Sequence, residues 1–257
     1  MVNRDSSIFD ATAQDIGDYQ VFCFKANCAR TTNKHLDIII AFFKWMVERG
    51  TLFVSPCLQA EKLKEGKFQR AFLLRSEIDI LYKLVKEDKS IEIRDITMFN
   101  VLIGTGIRAT ELCNLKVSDF IDDRGGFFRL SETDGSSERL VSMSNYTKHS
   151  VMRFLNVMKL RGKNENWIFT SPRGNQLKRH VVYDRIRKIT RKVIAHKNGP
   201  NMLRDTFASQ AIDQEMPLKT LQLQMGYKSL RTIVSKYTGS TSIGRIKKVF
   251  DQFHPRA

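Results

Sequence analysis

The chain has 257 residues, of which 42% are hydrophobic and 27% are charged, as is typical of a folded protein with one or two domains. This composition excludes a disordered tail and a low-complexity array. The formal net charge is +16, from 43 Lys and Arg against 27 Asp and Glu. Such an excess favours a polyanionic partner, most often nucleic acid, over a generic basic surface.

Membrane, secreted and zinc-scaffold proteins are disfavoured by the sequence. Apolar runs such as Ile38–Phe43 fall far short of the roughly 20 residues that a membrane span needs. Residues 1–10 are polar and mixed in charge, so we expect no secretory signal. The cysteines form no C-x-x-C pair, so we expect free thiols, no metal site and a cytoplasmic, DNA-associated protein. They are Cys23, Cys28, Cys57 and Cys113.

Helical periodicity predominates near the start of the chain. Apolar spacing predicts a helix over 13–28 and a second helix over 31–48, capped by Thr31 and Thr32. The stretch that follows carries charge without an apolar period, which is typical of a linker. We therefore predict a short helical domain over 1–60 and a linker over 61–71.

The rest of the chain mixes helical and strand-like patterns. It predicts a helix capped by Ser76 and another over 93–103. Two short β-like runs, Phe127–Leu130 and Arg139–Ser142, predict a hairpin, and Trp167–Thr170 is a further strand-like fragment. The predicted fold class is mainly α-helical with a small β-hairpin or sheet.

A strongly basic stretch lies between Arg173 and Lys197, where nine Lys or Arg residues stand against one acid, Asp184. An apolar stripe along the predicted helix leaves the basic residues on its outer face. Contact with phosphates is favoured over simple solvation of that face. The predicted DNA contacts are Lys178, Arg179, Arg185, Arg187 and Lys188.

Three segments carry residues suited to phosphodiester chemistry. They are TGIRATEL at 105–112, LRDTFA at 203–208 and MGYKSLRT at 225–232, the last followed by Tyr-Thr-Gly at 237–239. In the first segment Gly106 allows a tight entry into a helix. Arg108 then lies in the first turn, and Glu111 lies one turn later, where its carboxylate can hold the guanidinium.

These segments, in this order and with a hairpin between the first two, resemble the tyrosine recombinases of the Xer and phage-integrase family. The resemblance spans about Phe72–Phe253, and Phe42–Gly50 is similar to the last helix of the family's N-terminal DNA-binding domain. It implies a two-domain architecture, with a helical core-binding-like domain over 1–60. An α+β catalytic-like domain with a C-terminal helix would occupy 72–257.

The resemblance implies a site-specific recombinase or integrase that cleaves and rejoins DNA through a 3′-phosphotyrosyl intermediate. No metal or cofactor is implied, because the covalent intermediate conserves the bond energy. Two arginines would clamp the negatively charged transition state. By resemblance these are Arg108 and Arg204, and Tyr237 is the nucleophile. Tyr227 and Asn201 occupy two further catalytic positions.

The sequence departs from the family pattern at positions that handle protons. Asp134 stands where the family has its hairpin lysine, and Asn201 stands where it has a histidine three residues before the second arginine. Asp205 replaces a histidine that frequently follows that arginine, and Tyr227 replaces a histidine or tryptophan after Leu-Gly. The interval from Tyr227 to Tyr237 is also one residue longer than usual. In a regular helix the extra residue would rotate the nucleophile by about 100°, unless a bulge or loop absorbs it.

Two functions therefore stay open. In the first, the protein is a working recombinase in which Arg139 or another base replaces the hairpin lysine. The alternative is a catalytically impaired recombinase-fold DNA-binding protein with a structural, replication or regulatory role. In either case we expect double-stranded DNA with a specific site as the partner.

The end of the chain bears on assembly. An amphipathic helix is predicted over Thr241–Phe253, and it either packs on its own domain or docks into a neighbouring protomer. In resembling proteins such docking links cleavage to a tetramer on two DNA sites. We expect a homo-oligomer of this kind and no membrane partner.

Overall fold

The computed structural model describes residues 7–66, 72–132, 138–161, 166–194 and 198–237. The chain divides into two compact units, Met1–Gln69 and Arg70–Ala257. The predicted hairpin-turn residue Asp134 and the predicted C-terminal helix lie outside the described residues. No helix in the described part of the chain is long and apolar enough to cross a membrane.

The first unit is a helical pair, α1 (Ala13–Ala26) and α2 (Ala29–Glu48), preceded by a short 3-10 turn. Its core includes Leu36, Phe43 and Met46 of α2. The predicted cap of α2 at Thr31 and Thr32 is wrong. Both threonines lie inside the helix, where the Thr32 hydroxyl donates to the carbonyl of Cys28 at 3.2 Å.

The second unit combines helices with a small antiparallel sheet. Its elements are α3 (Arg75–Glu87), α4 (Ile93–Thr105), α5 (Ala109–Cys113), β1 (Phe120–Ile121), β2 (Phe127–Leu130), β3 (Arg139–Ser142), α6 (Asn145–Leu160), α7 (Arg179–Thr190), α8 (Pro200–Asp213), α9 (Leu218–Met225) and α10 (Leu230–Tyr237). The sheet order is β1-β2-β3. The predicted fold class, mainly α-helical with a small sheet, is therefore confirmed.

Helix α4 forms the centre of the second unit. Met98, Phe99, Val101 and Leu102 have no exposed surface. The helix packs against α5, α6, α7 and α8, so it is buried on several faces. Its buried positions lie all round the helix and include polar side chains, such as that of Asn100, among the apolar ones. The first arginine motif follows directly from this rigid centre.

A smaller core cluster joins α8, α9 and α10. Ala208, Leu221, Met225, Ile233 and Tyr237 pack together in it. Burial of apolar side chains is the main stabilising term in such a cluster. It therefore fixes the last described helix, which carries Tyr237, against the helix that carries the second arginine.

Two sequence predictions in this unit fail in detail. Ser76 lies in the first turn of α3, because the Glu77 carboxylate accepts the N–H of Leu74 at 2.7 Å and the helix starts earlier. The fragment Trp167–Thr170 forms isolated bridges, not a strand, pairing with Lys116 and Gln176. The hairpin strands β2 and β3 match the prediction, whereas the two-residue strand β1 was not predicted.

Candidate functional site

Arg204 is buried and held by main-chain carbonyls. It lies in the first turns of α8, and only 6% of its surface is exposed. One guanidinium nitrogen donates to the carbonyl of Gly106, and another donates to the carbonyl of Met225 at 2.7 Å. These carbonyls lie at the ends of α4 and α9, so the guanidinium links all three sequence motifs. Burial lowers the pKa of Arg204, but a guanidinium stays charged in proteins.

Gly106 is required where it stands. Its φ of 68° is left-handed, and a Cβ there would lie 2.5 Å from the ring of Phe207. A side chain would therefore strain the backbone and displace the ring. This glycine ends α4 and turns the chain towards Arg108, as the motif predicts.

Arg108 is positioned by Glu111. The main-chain N–H of Arg108 donates to Glu111 Oε2 at 2.7 Å, and Nη1 donates to Oε1 at 3.1 Å. The Glu111 side chain is almost fully buried, whereas 26% of the Arg108 side chain is exposed. Burial alone would raise the pKa of Glu111, but the hydrogen bonds and charge of Arg139, the main-chain N–H of Arg108 and the charge of Arg204 hold it below its ordinary value.

Arg139 shares the same carboxylate and lies behind it. Its Nη1 and Nη2 donate to the two Glu111 oxygens at 2.9 and 3.1 Å, and its Nε donates to the carbonyl of Gln224 at 3.2 Å. Gly226 permits this packing, because a Cβ there would lie 2.6 Å from the guanidinium. Arg139 therefore acts as a positioning residue. This placement disfavours Arg139 as the substitute for the hairpin lysine.

The two tyrosines meet at their hydroxyl groups. The hydroxyl of Tyr237 donates to Asp205 Oδ1 at 2.7 Å and lies 3.0 Å from the hydroxyl of Tyr227. Residues 227–229 are not helical and α10 begins at Leu230, so the interval from Tyr227 to Tyr237 is not one regular helix. The predicted rotation of the nucleophile therefore does not separate the two side chains.

Their surroundings shift the two phenols in opposite directions. Burial raises the pKa of Tyr237, and its hydrogen bonds to Asp205 and Tyr227 raise it further. Burial also acts to raise the pKa of Tyr227, but the positive charges of Arg204 and Lys236 outweigh it and hold that pKa below 10.0. Tyr237 is therefore a protonated phenol in the free protein.

Three cations surround the ring of Tyr227. The guanidinium carbons of Arg204 and Arg108 lie 5.0 and 5.9 Å from the ring centroid. The Nζ atom of Lys236 lies 4.7 Å from it. These distances are within the range of cation–π attraction. Lys236 was not predicted from the sequence, although its place directly before Tyr237 was a usable signal.

These side chains line one open cleft of about 770 Å³. Its lining residues are Arg108, Ala109, Thr110, Asn114, Glu132, Arg179, Tyr183, Asn201, Arg204, Asp205, Tyr227 and Lys236. The hydroxyl of Tyr237 lies against this lining through Asp205 and Tyr227. The cleft therefore brings together the two predicted arginines, Asn201 and Tyr227, and Tyr237 contacts its lining.

The predicted DNA contacts fall on different parts of α7. Arg179 lines the cleft and donates to the hydroxyl of Tyr183 at 3.3 Å; that hydroxyl donates to Asn201. Lys178 borders an adjoining pocket that it shares with Arg179. Arg187 lies further along the helix and donates to Asn198 at 3.0 Å.

The remaining two predicted contacts lie apart from the cleft. Arg185 and Lys188 line a separate small pocket, and Arg185 lies 3.6 Å from Asp95. The structure thus places Arg179 in the cleft, with Lys178 in the adjoining pocket, and it places Arg185 and Lys188 in the pocket beside Asp95. Among the residues that the structure describes, no group of three or more His, Cys, Asp or Glu side chains could hold a metal ion.

The fold and cleft define a class of protein. A cleft with two fixed guanidinium groups, an ammonium group and a phenol beside it can hold a phosphodiester and present a hydroxyl nucleophile to it. The model of the phage integrase family matches residues 71–242. The chain therefore belongs to the phage integrase family of tyrosine recombinases, and the resemblance found in its motifs is confirmed.

Named relatives agree with this assignment. The tyrosine recombinase XerC of Staphylococcus aureus strain USA300 is 28% identical over 250 residues, which cover 95% of this chain and 82% of the relative. The XerH recombinase in a post-cleavage complex with palindromic difH gives a TM-score of 0.78 at 15% identity, covering 95% of this chain and 72% of that one. The Tn1549 transposon integrase with circular intermediate DNA gives 0.77 at 17%, covering 96% and 88%. These structures share the fold.

Proposed function

We propose that this protein is a site-specific DNA recombinase that cleaves and rejoins strands through a 3′-phosphotyrosyl intermediate on Tyr237. One observation carries the proposal. The Tyr237 hydroxyl, 3.0 Å from that of Tyr227, lies beside the cleft that Arg108 and Arg204 line. Family membership supports site-specific recombination, and the cleft supplies groups that suit it.

The arginines are suited to the charge that develops during attack. A pentavalent phosphorane carries extra negative charge on its nonbridging oxygens. Arg204 is fixed by two main-chain carbonyls and Arg108 by Glu111, so their donors need little reorganisation when the charge appears. Such preorganised donors are each worth about 3–4 kcal/mol when one is removed.

The nucleophile needs a proton acceptor. Asn201, at the family's histidine position, cannot accept a proton at neutral pH. Asp205 already accepts the hydrogen bond of the Tyr237 hydroxyl at 2.7 Å. In the cleavage step the phenol oxygen of Tyr237 bonds to phosphorus, the phenol proton passes to Asp205, and the bond from phosphorus to the 5′ oxygen breaks.

The proposed partner is double-stranded DNA with a specific site. The XerH and Tn1549 relatives were solved on DNA, and the λ integrase was solved as a dimer on a COC′ core site. We assign Lys178 and Arg179 to phosphate contacts at or beside the cleft, and Arg185, Arg187 and Lys188 to phosphate contacts further along α7. We further propose that the protein acts as a tetramer on two DNA sites, linked by its C-terminal helix. We also propose that it is cytoplasmic and associated with DNA.

A nicked suicide substrate carrying the cognate site tests the function. Loss of the short strand beside the nick prevents rejoining, so the wild-type protein should accumulate an adduct that survives denaturation. The Tyr237→Phe variant should give none, because it lacks the attacking oxygen. Tyr146→Phe, which removes the hydroxyl of an exposed tyrosine of α6 outside the cleft, is the matched control and should keep the adduct.

Two outcomes would contradict the proposal. If the wild-type protein protects the site in a footprint but forms no adduct, the protein is the non-cleaving DNA-binding alternative. If Tyr237→Phe still forms the adduct, the nucleophile is another residue. Tyr227 would then be the first candidate, since its hydroxyl lies 3.0 Å from that of Tyr237.

A further inference from the structure

Strand cleavage in this protein lacks an assigned acid for the leaving group. The 5′ oxygen departs as an alkoxide and needs a proton, and general acid catalysis of such a step is worth roughly 10²–10⁴-fold. The sequence from Phe127 to Ser142 contains no lysine, and Asp134 stands at the family's lysine position. The acid must therefore come from outside the hairpin.

We propose that Lys236 donates this proton, an inference that rests on the proposed function. Lys236 lines the same cleft as Arg108 and Arg204. Its Nζ atom lies 4.7 Å from the centroid of the Tyr227 ring. Within the described part of the chain, no carboxylate forms an ion pair with it.

The other cations near the phosphate site are poor acids. Arg108, Arg204 and Arg179 line the cleft, but a guanidinium does not release its proton in proteins. Arg139 is occupied by Glu111 and Gln224. Lysine, by contrast, is a titratable cation whose proton can be transferred. Of the cations that line the cleft, Lys236 is thus the one suited to this step.

Its place on α10 fits the geometry of the reaction. The nucleophile and the leaving oxygen lie on opposite sides of phosphorus in an in-line displacement. Adjacent residues of an α-helix point about 100° apart, so Lys236 and Tyr237 diverge from one helix. Tyr227 contacts both residues: its hydroxyl lies 3.0 Å from that of Tyr237, and the Lys236 ammonium nitrogen lies over its ring, 4.7 Å from the centroid.

The proton balance of the step is complete. As the phosphorus–O5′ bond breaks, its electron pair goes to O5′, which takes a proton from the Lys236 ammonium and becomes a 5′ hydroxyl. Lys236 is left as a neutral amine. In rejoining, this amine takes the proton from the attacking 5′ hydroxyl while the Tyr237 oxygen leaves phosphorus and recovers its proton from Asp205.

A sulfur substitution at the leaving atom tests the assignment. Single-turnover adduct formation is measured on two DNA substrates, one with the natural 5′ oxygen and one with sulfur in its place. A thiol has a pKa near 8.5, far below that of an alcohol, so a thiolate leaves without protonation. Lys236→Ala should cleave the oxygen substrate about 100-fold or more slowly than the wild-type protein. On the sulfur substrate the two rates should agree within about threefold, because no acid is needed there.

Two further variants separate acid catalysis from charge. Lys236→Arg keeps the positive charge but is a poor acid, so it should behave like Lys236→Ala on both substrates. Lys219→Ala removes an exposed lysine of α9 that does not line the cleft, and it should match the wild-type protein.

The outcomes distinguish this proposal from the proposed function. Equal losses on the oxygen and sulfur substrates in Lys236→Ala would overturn Lys236 as the acid, and so would full activity of Lys236→Arg on the oxygen substrate. Absence of any adduct from the wild-type protein on both substrates would instead overturn the function itself.

Discussion

The arginine side of the cleft is anchored by main-chain carbonyls and a buried carboxylate, whereas its tyrosine side is held by contacts between side chains. The arginine side comprises Arg108, Glu111, Arg139 and Arg204, and the tyrosine side comprises Asp205, Tyr227, Lys236 and Tyr237. Gly226, at the end of α9, makes room for the Arg139 guanidinium, and the carbonyls of Gly106 and Met225 hold that of Arg204, so main-chain geometry specifies where these groups lie.

The difference follows from what each side has to do. Stabilising a charge that appears during the reaction requires donors fixed in advance, because their value lies in avoided reorganisation. A proton can be moved by any group of suitable pKa within hydrogen-bond reach. A protein can therefore change the residues that transfer protons while it keeps the residues that hold its arginines in place. In this chain the family's hairpin lysine and histidine positions are substituted, whereas both arginines are present.

The largest effect on the arginine side is expected from Arg204→Lys. Lysine keeps one charge but lacks the planar fork that reaches the carbonyls of Gly106 and Met225. We expect the single-turnover cleavage rate to fall by about 10²–10³-fold, the typical cost of one preorganised donor. Site protection in a footprint should change little.

Arg153→Lys, an exposed substitution on α6, is the matched control for that measurement and should cleave like the wild-type protein. A cleavage rate for Arg204→Lys within threefold of the wild-type rate would contradict the view that the reaction depends on a guanidinium fixed in advance. It would show that charge alone, without the fork, supports the reaction.

The second prediction concerns the stability of the same side. Glu111→Gln leaves Arg108 and Arg139 without their buried countercharge, and breaking such a pair costs about 3–5 kcal/mol. The free energy of unfolding at pH 7, measured with urea, should fall by that amount. The exposed substitution Glu87→Gln is the control and should leave the free energy of unfolding unchanged. If Glu111→Gln proved as stable as the wild-type protein, the ion pairs of Glu111 with Arg108 and Arg139 would not stabilise the fold.

The dependence of this loss on pH has a defined sign. The pKa of Glu111 is lower in the folded protein than its ordinary value of 4.5. Its contribution is therefore fully present above pH 4.5 and is lost as the pH falls through the lower folded pKa. The difference in the free energy of unfolding between the wild-type protein and Glu111→Gln should therefore shrink once the pH falls below the folded pKa of Glu111.

The sequence predicted the local parts of this site and missed the contacts between distant segments. Arg108 and Glu111 lie three residues apart, so helix spacing pairs them. The contact between Glu111 and Arg139 joins segments 28 residues apart, and that between Asp205 and Tyr237 spans 32. No local period encodes such contacts, because they depend on how strands and helices pack.

The extra residue between the tyrosines shows the same limit. Spacing alone predicts a rotated nucleophile if the helix is regular. In the structure the interval begins with a loop at 227–229, and α10 starts only at Leu230. Loop conformation absorbs an insertion that a helix would transmit, and the packing of Ile233 and Tyr237 in the small core then sets the position of the hydroxyl.

The smallest effect is expected from Tyr227→Phe on the tyrosine side. The variant removes the hydroxyl that meets Tyr237 but keeps the ring that Arg204 and Lys236 face. A neutral hydrogen bond contributes about 0.5–1.5 kcal/mol, so the single-turnover cleavage rate should fall by roughly 3- to 10-fold. Because Asp205 still holds the Tyr237 hydroxyl, the adduct should form at the same nucleophile.

That result would set the Tyr227 hydroxyl apart from the Arg204 guanidinium by about an order of magnitude or more in cleavage rate. A loss as large as that of Arg204→Lys would remove the distinction, since the tyrosine side would then be as strictly fixed as the arginine side. The double variant Tyr227→Phe with Lys236→Ala resolves the cause on the sulfur substrate. If Tyr227 acts by holding Tyr237, the loss from Tyr227→Phe persists there, whereas the loss from Lys236→Ala disappears.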